Sequence, residues 1–212
     1  MLPPAVHLVT DRSLVEDLAA CVTAALRGLP RGGAAVHLRE KDLGGRDLLA
    51  LARALVRACE AAGQLLLVND RIDVALAAGA HGVHLPSAGV PPGEARRLLG
   101  PSRLVGVSCH GEDDVRRAVA GGADYATFGP VFDTPSKRAY GPPVGLAALR
   151  GAARFGLPLV ALGGVDLSNA AEAVAAGARG VAAIRAWITA PDRAGAVSAL
   201  LAAARLSPRP SR

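Results

Sequence analysis

Short apolar runs alternate along the chain with longer segments in which Ala, Leu and Arg recur at helical spacing. The runs are AVHLVT (5–10), AAVHLRE (34–40), QLLLVND (64–70), GVHLP (82–86), LVGVSC (104–109), YATFGP (125–130), PLVALGG (158–164) and GVAAIRA (180–186). None has the clean apolar–polar alternation of a half-exposed strand, so each reads as a parallel strand covered on both faces. Helical patterns such as RDLLALARALVRACEAAG and AEAVAAG lie between them. Three joins repeat one form: AAGAHGVHL, AGGADYATF and AAGARGVAAI. In each, a Gly follows the helix where a left-handed residue caps it, and a strand begins almost at once. Eight such units predict an α/β protein, a single (β/α)8 TIM barrel over residues 1–206 with a tail at 207–212. A doubly wound open sheet is the alternative, but no GxGxxG follows the first run.

Composition narrows this picture. The 212 residues fall within the roughly 200–250 typical of such a barrel. With 51% hydrophobic but only 3% aromatic residues, the core must be built from Ala, Val and Leu. The net charge of +6 is scattered, without the basic stripe and interleaved aromatics of a nucleic-acid binder. A modest positive field still attracts phosphorylated ligands. Cys21, Cys59 and Cys109 form no CxxC, which suits reduced thiols in the cytoplasm. No apolar run reaches the roughly 18–20 residues that span a membrane, and MLPPAVHLVTD lacks the basic start of a signal peptide.

In a barrel, polar residues at the C-terminal strand ends are the candidates for chemistry. ALGGVDLSNA places Gly163 and Gly164 after strand seven, where backbone N–H groups can approach an anion. Ile184 and Arg185, after strand eight, complete the expected phosphate cradle. His37, Arg39 and Lys41 alternate, so they share one face of an extended segment. Arg39 can hold a carboxylate or phosphate through two parallel hydrogen bonds. Lys41 is equally a point charge for substrate or a solvated loop residue. Ser108 and His110 end strand five, and His110 is equally a proton shuttle or a structural histidine. Cys109 points away from His110 and is read as packing. His84 is ambiguous in the same way, and His7 and His81 are given no role. Asn69 and Asp70 can hold a metal, or Asp70 can cap the next helix. The loop FDTPSKRAYGPP (132–143) carries Ser136, Lys137 and Tyr140 and reads as a lid.

In order, HLREKD, VNDR, GVSCH, FGPVFDTPSK and ALGGV resemble the superfamily of thiamine phosphate synthase and TenI, from LVTD to VAAIRA. The resemblance implies a barrel acting on phosphorylated thiazoles in thiamine biosynthesis. One branch couples a pyrimidine diphosphate to a thiazole phosphate with Mg2+. The other is the metal-free thiazole tautomerase, an isomerase. Two departures favour the tautomerase: His37 stands where the synthase has Gln, and Pro86-Ser87-Ala88-Gly89 lacks the synthase's acidic residues. The expectation is therefore a TenI-like tautomerase without cofactor. In it His110 moves the proton, Arg39 pairs with the carboxylate, and His37, Lys41, Asn69, Ser108 and Lys137 contact substrate. Gly163, Gly164, Ile184 and Arg185 bind the phosphate. The alternatives are the synthase, with Mg2+ on Asp70, and a non-catalytic binder of a phosphorylated ligand. The expected partner is a small phosphorylated thiazole, with no nucleic acid and no membrane; a homo-oligomer is left open.

Overall fold

The computed structural model describes residues 2–134, 138 and 141–205. Eight parallel strands close into a barrel in sequence order. They are β1 (Val6–Val9), β2 (Ala34–Leu38), β3 (Leu65–Asn69), β4 (Gly82–Leu85), β5 (Leu104–Cys109), β6 (Tyr125–Phe128), β7 (Leu159–Leu162) and β8 (Gly180–Ala183). Closure is made by β1 on β8, with His7 opposite Ala182. The helices that cross between strands are α1 (Leu18–Ala25), α2 (Gly45–Ala61), α3 (Ile72–Ala78), α4 (Pro92–Leu99), α5 (Glu112–Ala120), α6 (Gly145–Ala153) and α7 (Ala170–Ala175). Two more follow β8: the single turn α8 (Arg185–Ile188) and the longer α9 (Arg193–Arg205). The expected single barrel is the observed fold, and no described helix is long and apolar enough to cross a membrane.

Local chemistry explains the joins. Gly79, Gly122 and Gly177, one in each repeated helix–Gly–strand join, have φ of 72°, 72° and 105°, the left-handed region that favours glycine. Two cores result from the period-two side chains. The larger lies between sheet and helices, where Leu8, Val36, Leu66, Val83 and Phe128 meet the helical Leu, Val and Ala side chains. The smaller lies inside the barrel and includes Val9, Ala35, Leu67, Leu104 and Tyr125. Cys109 belongs to the outer core as expected, and burial pushes its thiol up to about 12.

Two contacts fix the ends of the cylinder. At the N-terminal face the Asp124 carboxylate accepts from Arg96 at 2.5 Å and from the Val105 N–H at 2.7 Å. At the other end the buried Trp187 indole N–H is shared between the Val9 and Ala183 carbonyls, at 3.2 and 3.1 Å. That bond locks α8 against β1 and β8, so the turn beside the rim cannot drift. Losing such an indole costs about 3–5 kcal/mol.

Candidate active site

The alternation that fills the barrel also decides which polar groups reach the rim. Along β2, Ala35 and His37 face inward, and Arg39 follows on the same face just beyond the strand. His37 is buried, and Arg39 is half-buried above it. No described residue pairs with the Arg39 guanidinium; only its backbone N–H is engaged, donating to Thr10 Oγ1 at 3.0 Å. Lys41 is exposed. Between them Glu40 turns the other way, accepting from Thr10 Oγ1 at 2.5 Å and from the Arg12 N–H at 3.1 and 3.2 Å. This buried carboxylate ties the β1 loop to β2 and so holds Arg39 and Lys41 in place. Nothing in the sequence pattern singled it out.

Asn69 ends β3, and Asp70 follows with φ of 65°, the only described non-glycine residue with positive φ. Such a conformation costs an aspartate about 1–2 kcal/mol and clusters at functional positions. The Asp70 N–H donates to the His84 carbonyl at 2.9 Å, which seats the turn on β4. Asp70 does not cap α3: the cap position is Arg71, with no side-chain cap bond. The carboxylate is instead exposed on the rim. Lys41, Asn69 and Asp70 line one cavity of about 300 Å³.

Across the mouth, Gly163 and Gly164 have φ of 94° and 65°. A Cβ on Gly163 would lie 2.5 Å from Pro130 Cβ, and one on Gly164 would lie 2.4 Å from the Asp133 carbonyl oxygen. The pair is thus glycine for two reasons, backbone conformation and close approach of the β6 loop. Among the described residues nothing accepts from either glycine N–H, nor from the N–H groups of Arg185 and Ala186 that open α8. These donors have the arrangement in which barrels commonly hold phosphate. Ile184 sits at the N-cap of α8, and Arg185 is exposed.

His110, at the end of β5, is exposed; its Nδ1 is 2.6 Å from the Gly129 carbonyl oxygen. A carbonyl only accepts, so Nδ1 carries the proton in the neutral ring and the Nε2 lone pair is left over. Ser108 is half-buried, 3.0 Å from His84 Nε2. His81 has a structural place, its Nδ1 accepting from the Leu66 N–H at 3.0 Å. Ser136, Lys137 and Tyr140 lie outside the described residues.

Below the rim is a layer that was not anticipated. His7, His37 and His84 meet Tyr125 inside the barrel, all four buried. Burial lowers His7 to about 4 and His84 to about 3, pulls His37 down in the same direction, and raises the Tyr125 phenol. All three rings are therefore neutral at pH 7. The Tyr125 ring occupies the space above Gly106, where a Cβ would lie 2.1 Å from Cζ.

Fold and rim together define a (β/α)8 barrel protein with its polar groups gathered at the strand C-termini. The chain belongs to the thiamine monophosphate synthase (TMP-TENI) family, whose profile matches residues 6–187. A Geobacter sulfurreducens protein named putative thiamine-phosphate synthase is 53% identical, over 92% of each chain. A Roseiflexus sp. thiamine-phosphate synthase is 45% identical, over 92% of this chain and 83% of its own. The solved thiamine phosphate pyrophosphorylase from Pyrococcus furiosus superposes with a TM-score of 0.83 at 31% identity, over 94% of each chain. More distant barrels, such as a 3-hexulose-6-phosphate synthase at 20% identity, share only the fold.

These relatives overturn the tautomerase expectation and, with it, the assignment to the isomerases. Proteins 45–53% identical over most of their length carry the synthase name. The structure places both departures. His37 is turned into the barrel, its Nε2 2.7 Å from His7 Nδ1. Asp70 stands exposed on the rim without any help from residues 86–89.

Proposed function

We propose that the protein is a cytoplasmic thiamine-phosphate synthase that joins hydroxymethylpyrimidine diphosphate to a thiazole phosphate and releases pyrophosphate. The observation that carries this reading is a rim whose cations and unpaired N–H groups fall into two separate groups, each suited to an anion. At β2 and β3, Lys41, Asn69 and Asp70 line one cavity, and the half-buried Arg39 lies on the neighbouring face of the same segment; across the mouth, the N–H groups of Gly163, Gly164 and the start of α8 have no acceptor among the described residues and lie beside Arg185. A reaction that joins two phosphorylated molecules needs two such places, whereas rearranging one needs only one.

In the coupling, the thiazole ring nitrogen gives its lone pair to the pyrimidine methylene carbon. The C–O bond to the diphosphate breaks with its electrons, and pyrophosphate departs. No proton need move, so His110 contributes a hydrogen-bond acceptor at Nε2. Arg39 and Lys41 stabilise the charge that grows on the departing oxygens. Lys137, from the sequence motif it shares with the family, is assigned to the same group. The Gly163–Gly164 turn and Ile184–Arg185 hold the thiazole phosphate.

The donor set fits Mg2+ of the kind completed by substrate. Such ions are held by one or two carboxylates with phosphate oxygens supplying much of the rest. Asp70 is an exposed carboxylate, and the described residues form no cluster of three or more acidic, His or Cys ligands that would bind a metal unaided. When bound there, Mg2+ would neutralise leaving-group charge. The test is an enzyme-coupled pyrophosphate assay. Release should require both substrates and Mg2+, and release from the diphosphate alone would reduce the protein to a hydrolase.

A further inference from the structure

The interior polar layer has a direction, and the direction can be worked out atom by atom. His7 Nε2 is 3.1 Å from the Pro4 carbonyl oxygen. A carbonyl cannot donate, so His7 carries its proton on Nε2 and offers a lone pair at Nδ1. His37 Nε2 lies 2.7 Å from that lone pair and must donate to it. Because the His37 Nε2 position is then protonated, it cannot accept the Tyr125 hydroxyl proton, and it lies 3.5 Å away in any case. The acceptor left to Tyr125 is His84 Nδ1, at 3.0 Å. His84, neutral and accepting at Nδ1, carries its proton on Nε2. That proton points at Ser108 Oγ, 3.0 Å away, and at Thr127 Oγ1, 3.2 Å away.

Ser108 is already a substrate contact expected from the family resemblance; we infer that His7, His37, Tyr125 and His84 are positioning residues whose buried relay sets the direction of its hydroxyl, so that it donates into the barrel mouth. Ser108 Oγ accepts from His84, so its own proton is directed to another acceptor. The ligand chemistry that satisfies it is an anionic oxygen of a phosphate or diphosphate. The inference rests on the reading above for the identity of that ligand, but the polarity of the relay stands on the geometry alone. Fixing the donor in advance avoids reorganising it as charge develops on the leaving group. The cost of burying so many polar groups is kept low because, among the described residues, no buried side-chain nitrogen or oxygen lacks a partner.

The first measurement uses the unmodified protein. Long-range 1H–15N spectra of histidine-labelled protein should show His7, His37 and His84 as neutral rings protonated at Nε2, while neutral His110 is protonated at Nδ1. A His84 ring protonated at Nδ1 reverses the relay and overturns the inference. The second measurement is calorimetric binding of inorganic pyrophosphate in the presence of Mg2+. Ser108→Ala and Tyr125→Phe should each weaken binding about 10- to 100-fold, the size of one hydrogen bond to a charged group. In the Ser108→Ala background, Tyr125→Phe should add less than about twofold. Independent, additive losses would mean that Tyr125 does not act through Ser108 and would sink the proposal, as would wild-type affinity in Ser108→Ala. Failure of the synthase reading looks different: the relay tautomers are as described, but no pyrophosphate is released from the two substrates.

Discussion

Acidification should destabilise this barrel well above the range in which carboxylates titrate. His7 and His84 are held neutral by burial, with folded values of about 4 and about 3, against about 6.5 in an unfolded chain. A depressed histidine value means that the unfolded state binds the proton first, so stability is complete above about pH 6.5 and falls as pH drops toward the folded values. The slope is about 1.4 kcal/mol per pH unit for each histidine. Between pH 7.5 and pH 5.0 each ring therefore withdraws about 2 kcal/mol, or roughly 4 kcal/mol for the pair. His37 and His81 shift in the same direction and steepen the fall. Asp42, Asp73 and Asp133 are held lower by their arginine partners and respond only in stronger acid. Against a typical total of about 5–15 kcal/mol, this loss is large. Urea unfolding at pH 7.5 and 5.0 measures it directly. A change below about 1 kcal/mol would mean that the rings are solvated or already charged, and the buried neutral layer would have to be abandoned.

Two substitutions probe the rim. Asp70→Asn keeps a side chain that tolerates φ of 65°, so stability should move by less than about 0.5 kcal/mol, while Mg2+-dependent pyrophosphate release falls at least about 100-fold; undiminished turnover would remove Asp70 from the reaction. Gly163→Ala forces a Cβ to within 2.5 Å of Pro130 at a φ of 94°, so it should destabilise by about 2 kcal/mol or more and raise KM for the thiazole phosphate more than for the diphosphate. Equal effects on both substrates would show that the two anion places are not separate.

The barrel was legible because parallel strands buried on both faces leave unbroken apolar runs, and because Gly79, Gly122 and Gly177 punctuate three joins in the same way. The rim was legible in part. Arg39 and Gly163 lie at strand C-termini, where the fold itself points to chemistry. The interior layer was not. In strands apolar on both sides, nothing local says that rings from three different strands meet in the lumen, so His7 received no role and His84 stayed ambiguous. Only the register, with His7 beside Ala35 and Ala182 and His84 beside Gly106, turns these rings toward one another. Asp70 was ambiguous for a related reason: capping and metal binding demand the same side chain, and the left-handed backbone that separates them is invisible in a sequence.

The most direct test of the account is product analysis by mass spectrometry after mixing the protein with hydroxymethylpyrimidine diphosphate, the aromatic thiazole phosphate and Mg2+. Thiamine phosphate and pyrophosphate should accumulate one for one and stop when Mg2+ is chelated. Neither product, with both substrates recovered intact, would contradict the assignment.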